Sequence, residues 1–241
     1  TSLGAYGRDL TPASSLSALL RRVLAETDLP RLRLSSVEPW DLDEEFFRLW
    51  ENPRLCRQLH LPLQSGCDET LRRMGRRTTS AEFARLVKAA LAAVPEMALT
   101  TDIIVGFPGE DEAAFRASYD FTAALPFARL HVFPYSPRPG TPAASLPDAL
   151  PQPVRAARAQ AMRALGDAQA ARFRQQFVGR EMTVLWESRR PDGLWSGLTD
   201  NYLRVIARAE GELRNRLTLA RLLAVENGCL LACVTQTNHD M

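Results

Sequence analysis

Apolar and polar positions follow two different patterns along the chain. As far as about residue 180, segments with a helical period alternate with short segments rich in apolar and β-branched residues. The predicted helices cover residues 12–26, 41–52, 68–94 with a break near Gly75, 111–125 and 153–177, and the predicted strands cover residues 31–37, 58–63, 97–105 and 128–133. Strands that alternate with long helices predict an α/β fold with a parallel sheet, open or closed into a barrel.

After Gly179 the pattern changes to short alternating strands separated by Gly, Asp and Asn turns. This pattern predicts a small antiparallel barrel of about five strands. We therefore expect two domains, residues 1–178 and residues 179–241. Cys229 and Cys233 lie four residues apart on one strand face, and we expect both in the barrel core because free cysteine behaves as a small apolar residue.

Three Gly- or Pro-marked junctions follow predicted parallel strands. They are Gln64-Ser65-Gly66, the turn from Gly106 to Gly109, and Tyr135-Ser136-Pro137. Because the carboxyl ends of parallel strands meet at one edge of a sheet, we expect the junctions to share one rim. Such a rim is either a ligand site or a structural turn region, and the pattern alone leaves both interpretations open.

Composition narrows the class of protein. Of 241 residues, 46% are apolar and 24% charged, no stretch is long and apolar enough for a membrane span, and the start TSLGAYGRDL lacks the features of a signal peptide. We therefore expect a cytoplasmic protein with four reduced cysteines and no membrane partner. Residues 151–241 carry 13 basic and 9 acidic side chains, a net +4, so this part is the better candidate for contact with a polyanion, although a solvated surface looks similar.

Several motifs resemble one enzyme family. The segments HLPLQSGCDETLRRM, LTTDIIVGFPGE and RLHVFPYSPRPGTPA are similar to the radical S-adenosylmethionine methylthiotransferases that modify tRNA. The last segment, with RLSSVEPWDL and GLTDNYLRV, most resembles the branch that acts on N6-threonylcarbamoyladenosine beside the anticodon. The C-terminal strands resemble a TRAM domain, a small RNA-binding β-barrel.

The resemblance implies a fold and a chemistry. The fold is a partial (β/α) radical SAM barrel, here truncated at its N-terminal edge, followed by the small antiparallel barrel. The implied cofactors are S-adenosylmethionine and two [4Fe-4S] clusters, and the implied partners are the tRNA anticodon stem-loop and an electron donor. The full enzyme would add a methylthio group to C2 of threonylcarbamoyladenosine.

One departure from the family concerns the radical cluster. Its CxxxCxxC loop is absent, because Cys229 and Cys233 have only the first spacing and no third cysteine follows. The chain also opens at Thr1 with LGAYGRDL, which resembles the loop after the family's second barrel strand. We therefore expect a C-terminal piece of the enzyme that holds no metal ligands and is inactive alone, with no catalytic residue assigned.

The resemblance places cofactor contacts at the strand ends. The candidates are Ser36, Glu38, Gln64, Ser65, Asp102, Ile104, Val105, Gly106 and Phe133. In the family's adenine-binding strand, backbone groups of residues 103–105 would face the adenine edge. Other interpretations stay open: Ser36 and Glu38 can belong to a capping cluster before a helix with Asp41 as its N-cap, and Asp102 can be a structural carboxylate. We interpret His60 and Cys67 as structural.

Candidates for RNA contact combine aromatic rings with arginines. They are Tyr135 and Arg138 after the last parallel strand, the cluster Arg73, Arg76 and Arg77, and Tyr202 and Arg204 with Trp195 in the C-terminal strands. Rings stack on unpaired bases and guanidinium groups bind phosphates. The alternatives are a rigid loop, a solvated face and barrel core, respectively.

Three further hypotheses complete the sequence interpretation. The chain can belong to a different radical SAM enzyme, such as a ribosomal-protein methylthiotransferase or a relative of porphyrinogen oxidase. It can also be a non-catalytic RNA-binding remnant. Finally, without the first strands of the barrel, the strand at 31–37 would be an unpaired and largely buried sheet edge, so we expect the isolated chain to self-associate.

Overall fold

A computed structural model describes residues 3–43 and 45–236 of the chain. The helices are α1 (Leu16–Glu26), α2 (Asp68–Arg73), α3 (Ser80–Ala93), α4 (Glu112–Ala124) and α5 (Gln152–Gln175). The strands are β1 (Gln58–His60), β2 (Ala98–Val105), β3 (Arg129–Pro134), β4 (Glu181–Arg189), β5 (Trp195–Thr199), β6 (Arg204–Ala207), β7 (Leu217–Glu226) and β8 (Cys229–Gln236). None of the described helices is long and apolar enough to cross a membrane.

The first three strands form the predicted parallel sheet, in the order β1-β2-β3. Alternate side chains of each strand point to opposite faces. One face carries Leu59, Leu99 and Ile103, which are fully buried in a core shared with the helices. The opposite, inner face carries mostly polar side chains.

The helices begin where the sequence supplies capping groups. Ser15 accepts a hydrogen bond from the N–H of Ala18, and Thr79 forms a capping box with Glu82 at the start of α3. Asp111 caps α4 by accepting from the N–H of Ala114. The break near Gly75 is present between α2 and α3, and Gly75 has a φ of 69°, which glycine adopts without strain.

Two predicted elements upstream of β1 are wrong. Residues 31–37 form no regular strand and pair only at two isolated bridges, Leu32 with Leu55 and Ser36 with His60. Residues 41–52 form no α-helix, because Glu45–Glu51 is a 3₁₀ helix. Its apolar residues recur at i and i+3, which the three-residue turn of a 3₁₀ helix stacks in line.

The capping residue of this segment also differs from the prediction. Asp41 ends a short 3₁₀ turn, Pro39–Asp41, and its carboxylate pairs with Arg8 at 2.7 Å. Asp43 is the residue that accepts the N–H of Phe46, at 2.8 Å, where the second 3₁₀ helix begins. The predicted N-cap is therefore two residues too early.

The C-terminal strands form a closed five-stranded barrel in the order β4-β5-β6-β8-β7. Its pairings are antiparallel except one, because β6 and β8 run parallel, so the predicted all-antiparallel barrel is corrected to a mixed one. Trp186 and Trp195 fill the interior. The predicted core position of the cysteines is wrong: Leu230 and Ala232 point inward, which turns Cys229 and Cys233 outward, half-buried and exposed respectively.

Polar contacts join the barrel to the α/β part. The guanidinium of Arg31 donates to the carbonyls of Leu198 and Thr183 at 2.8 and 2.6 Å. Arg57 binds both carboxylate oxygens of Asp200, at 2.6 and 3.1 Å. These bonds to backbone and carboxylate oxygens fix the barrel beside the start of the sheet.

Candidate functional site

The three predicted junctions do lie at one rim. The backbone N–H of Gln64 donates to the carbonyl of Asp102 at 2.8 Å, and the N–H of Ile104 donates to the carbonyl of Gln64 at 2.8 Å. On the other side, the N–H of Tyr135 donates to the carbonyl of Val105 at 2.8 Å. The carboxyl ends of β2 and β3 and the turn after β1 are therefore held together by backbone hydrogen bonds.

The turn after β2 depends on two glycines. Gly106 and Gly109 have φ values of 72° and 75°. A Cβ on Gly106 would lie 2.4 Å from Cγ of Arg155, and one on Gly109 would lie 1.6 Å from Nη1 of Arg73. Arg73 approaches this closely because it donates to the carbonyl of Gly109 at 2.6 Å. Only glycine satisfies both the backbone conformation and the packing.

A polar cluster lies on the inner face of the sheet. Nδ1 of His60 is 2.9 Å from Oγ1 of Thr100, and Nε2 of His60 is 3.3 Å from a carboxylate oxygen of Asp102. The rings of His60 and His131 meet edge to face with their centres 5.7 Å apart. Beside them, Nε2 of Gln58 lies 3.4 Å from Oγ1 of Thr100, while its Oε1 is buried without a hydrogen-bond partner.

The protonation of His131 responds to this environment. Burial is the main cause that lowers the pKa of His131 below its usual value, and the neighbouring Arg129 lowers it further. The carboxylate of Asp102 acts in the opposite direction without cancelling these effects. His131 is therefore a neutral imidazole at pH 7, able both to donate and to accept a hydrogen bond.

Several predicted cofactor contacts are already occupied within the protein. Ser65 is fully buried, and its Oγ accepts the N–H of Cys67 and lies 3.4 Å from Oγ of Ser118. Glu38 accepts a hydrogen bond from Arg76 at 2.8 Å. The N–H of Ile104 and the carbonyl of Val105 are used by neighbouring segments. These groups stabilise the rim, and their direct contact with a ligand stays a prediction.

The remaining candidates stay accessible at the inner face or rim. Ser36 is exposed beside His60, with which it forms an isolated bridge. Asp102 belongs to the polar cluster, and the side chain of Gln64 makes no hydrogen bond among the described residues. Phe133 is 51% exposed at the end of β3. The exposed aromatic ring and the polar cluster together offer both a stacking surface and hydrogen-bonding groups.

The predicted basic cluster divides into bound and free arginines. Arg73 is held by Gly109 and by Glu69 at 2.6 Å. Arg76 donates to Glu38 and to the carbonyl of Pro62, and its guanidinium lies over the Trp40 ring. Both arginines therefore brace the rim, and their contact with phosphate stays a prediction. Arg77 is exposed and has no ion pair among the described residues.

The RNA-contact candidates of the C-terminal barrel also differ in accessibility. Trp195 is 1% exposed and belongs to the barrel core, so it is excluded as an RNA contact. Arg204 pairs with Glu187 and lies 3.3 Å from Oγ of Ser196. Tyr202 is 39% exposed, with a φ of 65°, and Arg33 lies 4.2 Å above its ring centre.

The loop after β3 presents the last two candidates. Tyr135 packs its ring against Phe107 with centres 5.2 Å apart, and its hydroxyl is buried without a partner. Arg155 donates to the carbonyl of Tyr135. Arg138 is exposed three residues further on. Tyr135 is therefore fixed in the rim, whereas Arg138 projects from it.

A cleft of about 590 Å³ connects the sheet to the barrel. Its walls are β3, α5, the turn before β6 and Gly228. His131 and Phe133 line it on one side, and Tyr202 and Arg204 line it on the other. The cleft therefore joins the inner-face polar cluster to the most accessible aromatic residue of the barrel.

The residues present do not fit an iron–sulfur cluster. The parts of the chain that the structure describes hold no group of three or more His, Cys, Asp or Glu side chains placed to bind a metal ion. All four cysteines are free thiols, and one of them, Cys56, is buried.

Comparison with known proteins identifies the class. Residues 9–122 match the model of the Radical SAM superfamily. The matched segment, which includes β1, β2 and most of α4, belongs to that superfamily.

Among the relatives, tRNA methylthiotransferases predominate. The chain is 37% identical to threonylcarbamoyladenosine tRNA methylthiotransferase MtaB of Thermotoga maritima, over 84% of this chain and 46% of the relative. It is 32% identical to MtaB of Bacillus subtilis, over 91% and 50%. It is also 32% identical to tRNA-2-methylthio-N(6)-dimethylallyladenosine synthase of Maricaulis maris, over 97% and 52%. The chain spans about half the length of the curated relatives it matches.

Sequence reasoning missed three members of the polar cluster, Gln58, Thr100 and His131. Thr100 pairs with Arg129 across β2 and β3, and Asp102 pairs with His131, so these residues share one face. The alternation of side chains along β2 and β3 was the signal that could have found them, once the register was known.

Proposed function

We propose that this chain forms the radical SAM and RNA-binding part of an enzyme that adds a methylthio group to C2 of N6-threonylcarbamoyladenosine, next to the anticodon of tRNA. One geometric observation carries the proposal. The strand ends at Gln64, Gly106 and Tyr135 meet at one rim, and the inner face below them opens through the cleft toward the barrel. A nucleoside and the RNA strand that carries it therefore have adjacent surfaces.

The relatives support the same substrate class. Two of them are named threonylcarbamoyladenosine tRNA methylthiotransferase, and the one from Thermotoga maritima has the higher identity of the three compared. The second substrate class, dimethylallyladenosine, is supported by the relative from Maricaulis maris. Both classes share the adenosine and the methylthio transfer and differ in the N6 substituent.

The inner face supports binding of S-adenosylmethionine. Gln58 retains a buried acceptor without a partner, and His60 and Asp102 add polar groups beside it. These groups suit the amino and hydroxyl groups of the cofactor, and Phe133 offers an aromatic surface at the same face. Bound at these residues, the cofactor would supply the radical chemistry of the superfamily. The cluster and its electron donor have to come from outside this chain's residues.

The barrel supports contact with tRNA. Tyr202 is exposed on the turn before β6, and it lies beside the guanidinium of Arg33. An exposed ring with nearby arginines is typical of surfaces that bind unpaired RNA. We propose that this barrel acts as a TRAM-like RNA-binding domain from residue 179 onward, after a radical SAM domain of residues 1–178, in a cytoplasmic enzyme.

A chimeric enzyme tests the proposal. This chain replaces the matched segment of the Bacillus subtilis relative, and the chimera is expressed in a strain that lacks that enzyme. We expect tRNA nucleosides analysed by mass spectrometry to contain 2-methylthio-threonylcarbamoyladenosine. A folded, cluster-containing chimera that leaves threonylcarbamoyladenosine unmodified, or methylthiolates dimethylallyladenosine instead, contradicts the proposal.

A further inference from the structure

One edge of the parallel sheet is open at β3. In the part of the chain that the structure describes, β3 pairs with β2 and with no second strand. The cleft between β3, α5 and the barrel runs along this open edge, because its lining includes every residue from 128 to 133. Side chains of consecutive strand residues point to opposite faces, so a surface lined by all of them follows the backbone of the strand.

The open edge exposes peptide groups of alternate β3 residues. The N–H of Ala128 donates to the carbonyl of Leu99 at 2.8 Å, so the peptide groups of Ala128 face β2. Along a parallel strand the direction of the N–H and C=O groups alternates from one residue to the next. The peptide groups that face the cleft are therefore those of Arg129, His131 and Phe133. Among the described residues, these groups form no hydrogen bond to another element.

This edge fits a peptide better than a nucleic acid. Each of the three residues offers one N–H donor and one C=O acceptor, and an extended peptide satisfies both by pairing as an added strand. The phosphates of a nucleic acid accept hydrogen bonds from N–H groups but cannot donate to the carbonyls. The backbone of β3 thus defines the kind of partner, and the side chains around it define the charge.

The side chains beside the edge give the cleft an excess of positive charge. Arg129, Arg163 and Arg174 line the cleft and make no ion pair among the described residues. The charge of a further arginine in the lining, Arg204, is balanced by an ion pair. The lining contains one carboxylate, that of Asp167. Acidic side chains on an added strand would therefore find unpaired guanidinium groups along its length.

We propose that the open edge of β3 binds an extended, acidic segment of a partner protein, which adds a fourth strand to the sheet. Hydrogen bonds to the peptide groups of Arg129, His131 and Phe133 hold the segment, and its carboxylates pair with the arginines of the cleft. This inference goes beyond the proposed function, because it assigns a protein partner to backbone groups of β3 that the proposed function does not use.

A synthetic peptide tests the edge directly. The probe is a short fluorescein-labelled peptide in which Glu and Val alternate, and its affinity for this chain is measured by fluorescence anisotropy. We expect it to bind about tenfold or more tightly than a matching peptide of Lys and Val, which reverses the charge. We expect the same difference from a copy with N-methylated amides, which keeps the charge but cannot donate to the edge.

Two substitutions separate the backbone contribution from the charge. His131→Pro removes an N–H that faces the cleft and not β2, a position where an edge strand tolerates proline. We expect its affinity for the Glu-Val peptide to fall about tenfold below that of His131→Ala, which keeps the N–H. Arg163→Glu should weaken binding about tenfold as well. Arg172→Glu is the matched control, because Arg172 is exposed on the same helix but lines a different surface.

Amide hydrogen exchange followed by NMR tests the edge without any substitution. The amides of Arg129, His131 and Phe133 should exchange about tenfold or more slowly when the Glu-Val peptide is bound. The amide of Ala128 already bonds to β2 and should change little. A bound peptide that leaves the first three amides unprotected overturns the inference, even if His131→Pro fails to fold.

Three further outcomes also overturn the inference. The first is a Glu-Val peptide that does not bind at millimolar concentration. The second is an Arg172→Glu variant that loses affinity as strongly as Arg163→Glu. The third is a single-stranded RNA oligonucleotide that displaces the peptide and binds the wild type at least tenfold more tightly than Arg163→Glu, without protecting the β3 amides, since this result assigns the cleft to a nucleic acid.

Discussion

Arg158 and Glu110 form a buried ion pair beneath the glycine turn that ends β2. Nη1 of Arg158 donates to Oε1 of Glu110 at 2.8 Å, and the two side chains are 7% and 1% exposed. The same carboxylate oxygen accepts the N–H of Gly106 at 2.8 Å. The rim of the candidate site is therefore attached to α5 through a charge pair that water does not reach.

Removal of Arg158 tests how much the rim depends on this pair. Arg158→Ala leaves the Glu110 carboxylate buried without its counter-charge, and we expect the free energy of unfolding to fall by about 3–5 kcal/mol. Urea denaturation followed by circular dichroism measures it. Arg116→Ala is the control, because Arg116 pairs with Asp120 at the surface and should cost about 0–1 kcal/mol. Equal stability of the two variants would contradict the expectation.

The same variant has a predicted pH dependence. Burial raises the pKa of Glu110, while Arg158 acts to lower it. Loss of Arg158 raises the pKa of Glu110 further. The variant is therefore destabilised wherever the unfolded chain ionises this carboxyl. Below the ordinary value of 4.5 the carboxyl is protonated in both folded and unfolded chains, and this destabilisation vanishes. We expect the destabilisation to be smaller at pH 4 than at pH 7. A destabilisation that is the same at pH 4 and at pH 7 would contradict this prediction.

The stability contributed by His131 is also predicted to depend on pH. Because burial and Arg129 lower its pKa below 6.5, the unfolded chain binds more protons than the folded chain between the folded value and 6.5. The stability contributed by His131 is therefore complete above pH 6.5 and is lost as the pH falls through the folded value. NMR titration of the imidazole signals should give a pKa below 6.5 that rises in Arg129→Gln. A pKa above 6.5 is the contrary result.

The contact between barrel and sheet can be weakened at one residue. Asp200 accepts two hydrogen bonds from Arg57, and their side chains are 24% and 31% exposed. Allowing for this partial exposure, we expect Asp200→Ala to lower the free energy of unfolding by about 1–2 kcal/mol. Arg190→Ala removes an exposed pair with Asp192 and serves as the control. Denaturation curves that coincide for the two variants would show that the contact adds no stability.

The parallel sheet and the helices around it were predicted from local pattern, because β-branched strands and capped amphipathic helices carry their signal in sequence. The structure of the region before β1 was not predicted correctly. Arg31 bonds to the carbonyls of Leu198 and Thr183, and such a contact between distant residues overrides the strand preference of residues 31–37. With only isolated bridges there, the predicted self-association through this edge stays a prediction.

The chemistry of the site was predicted less completely than the fold. Motifs located the rim, since glycines and a buried acid mark it. They could not show that Glu38 and Arg76 bind each other, because the partners are 38 residues apart and meet only through tertiary packing. The outward direction of Cys233 was equally hidden, because alternation fixes which residues share a face but not which face points inward.

Cysteine reactivity provides a direct check on the barrel register. Cys233 is exposed, whereas Cys56 is buried and burial raises the pKa of its thiol. Since the thiolate is the reactive form, we expect Cys233 to react first with a maleimide and Cys56 last under native conditions. Peptide mass spectrometry over a time course assigns each site. Early labelling of Cys56 in the folded protein would contradict the described packing.

Substitution of Tyr202 can test its contact with RNA without changing the stability of the protein. Its φ of 65° is unfavourable for a residue with a Cβ but natural for glycine, so Tyr202→Gly removes the ring without straining the turn. We expect its free energy of unfolding to stay within about 1 kcal/mol of the wild type. Because stacking on one base is worth about 1–3 kcal/mol, affinity for an anticodon stem-loop should fall by about tenfold or more. Tyr202→Phe keeps the ring and should bind as the wild type does. Unchanged affinity in Tyr202→Gly, measured by fluorescence anisotropy, would remove Tyr202 from the RNA surface.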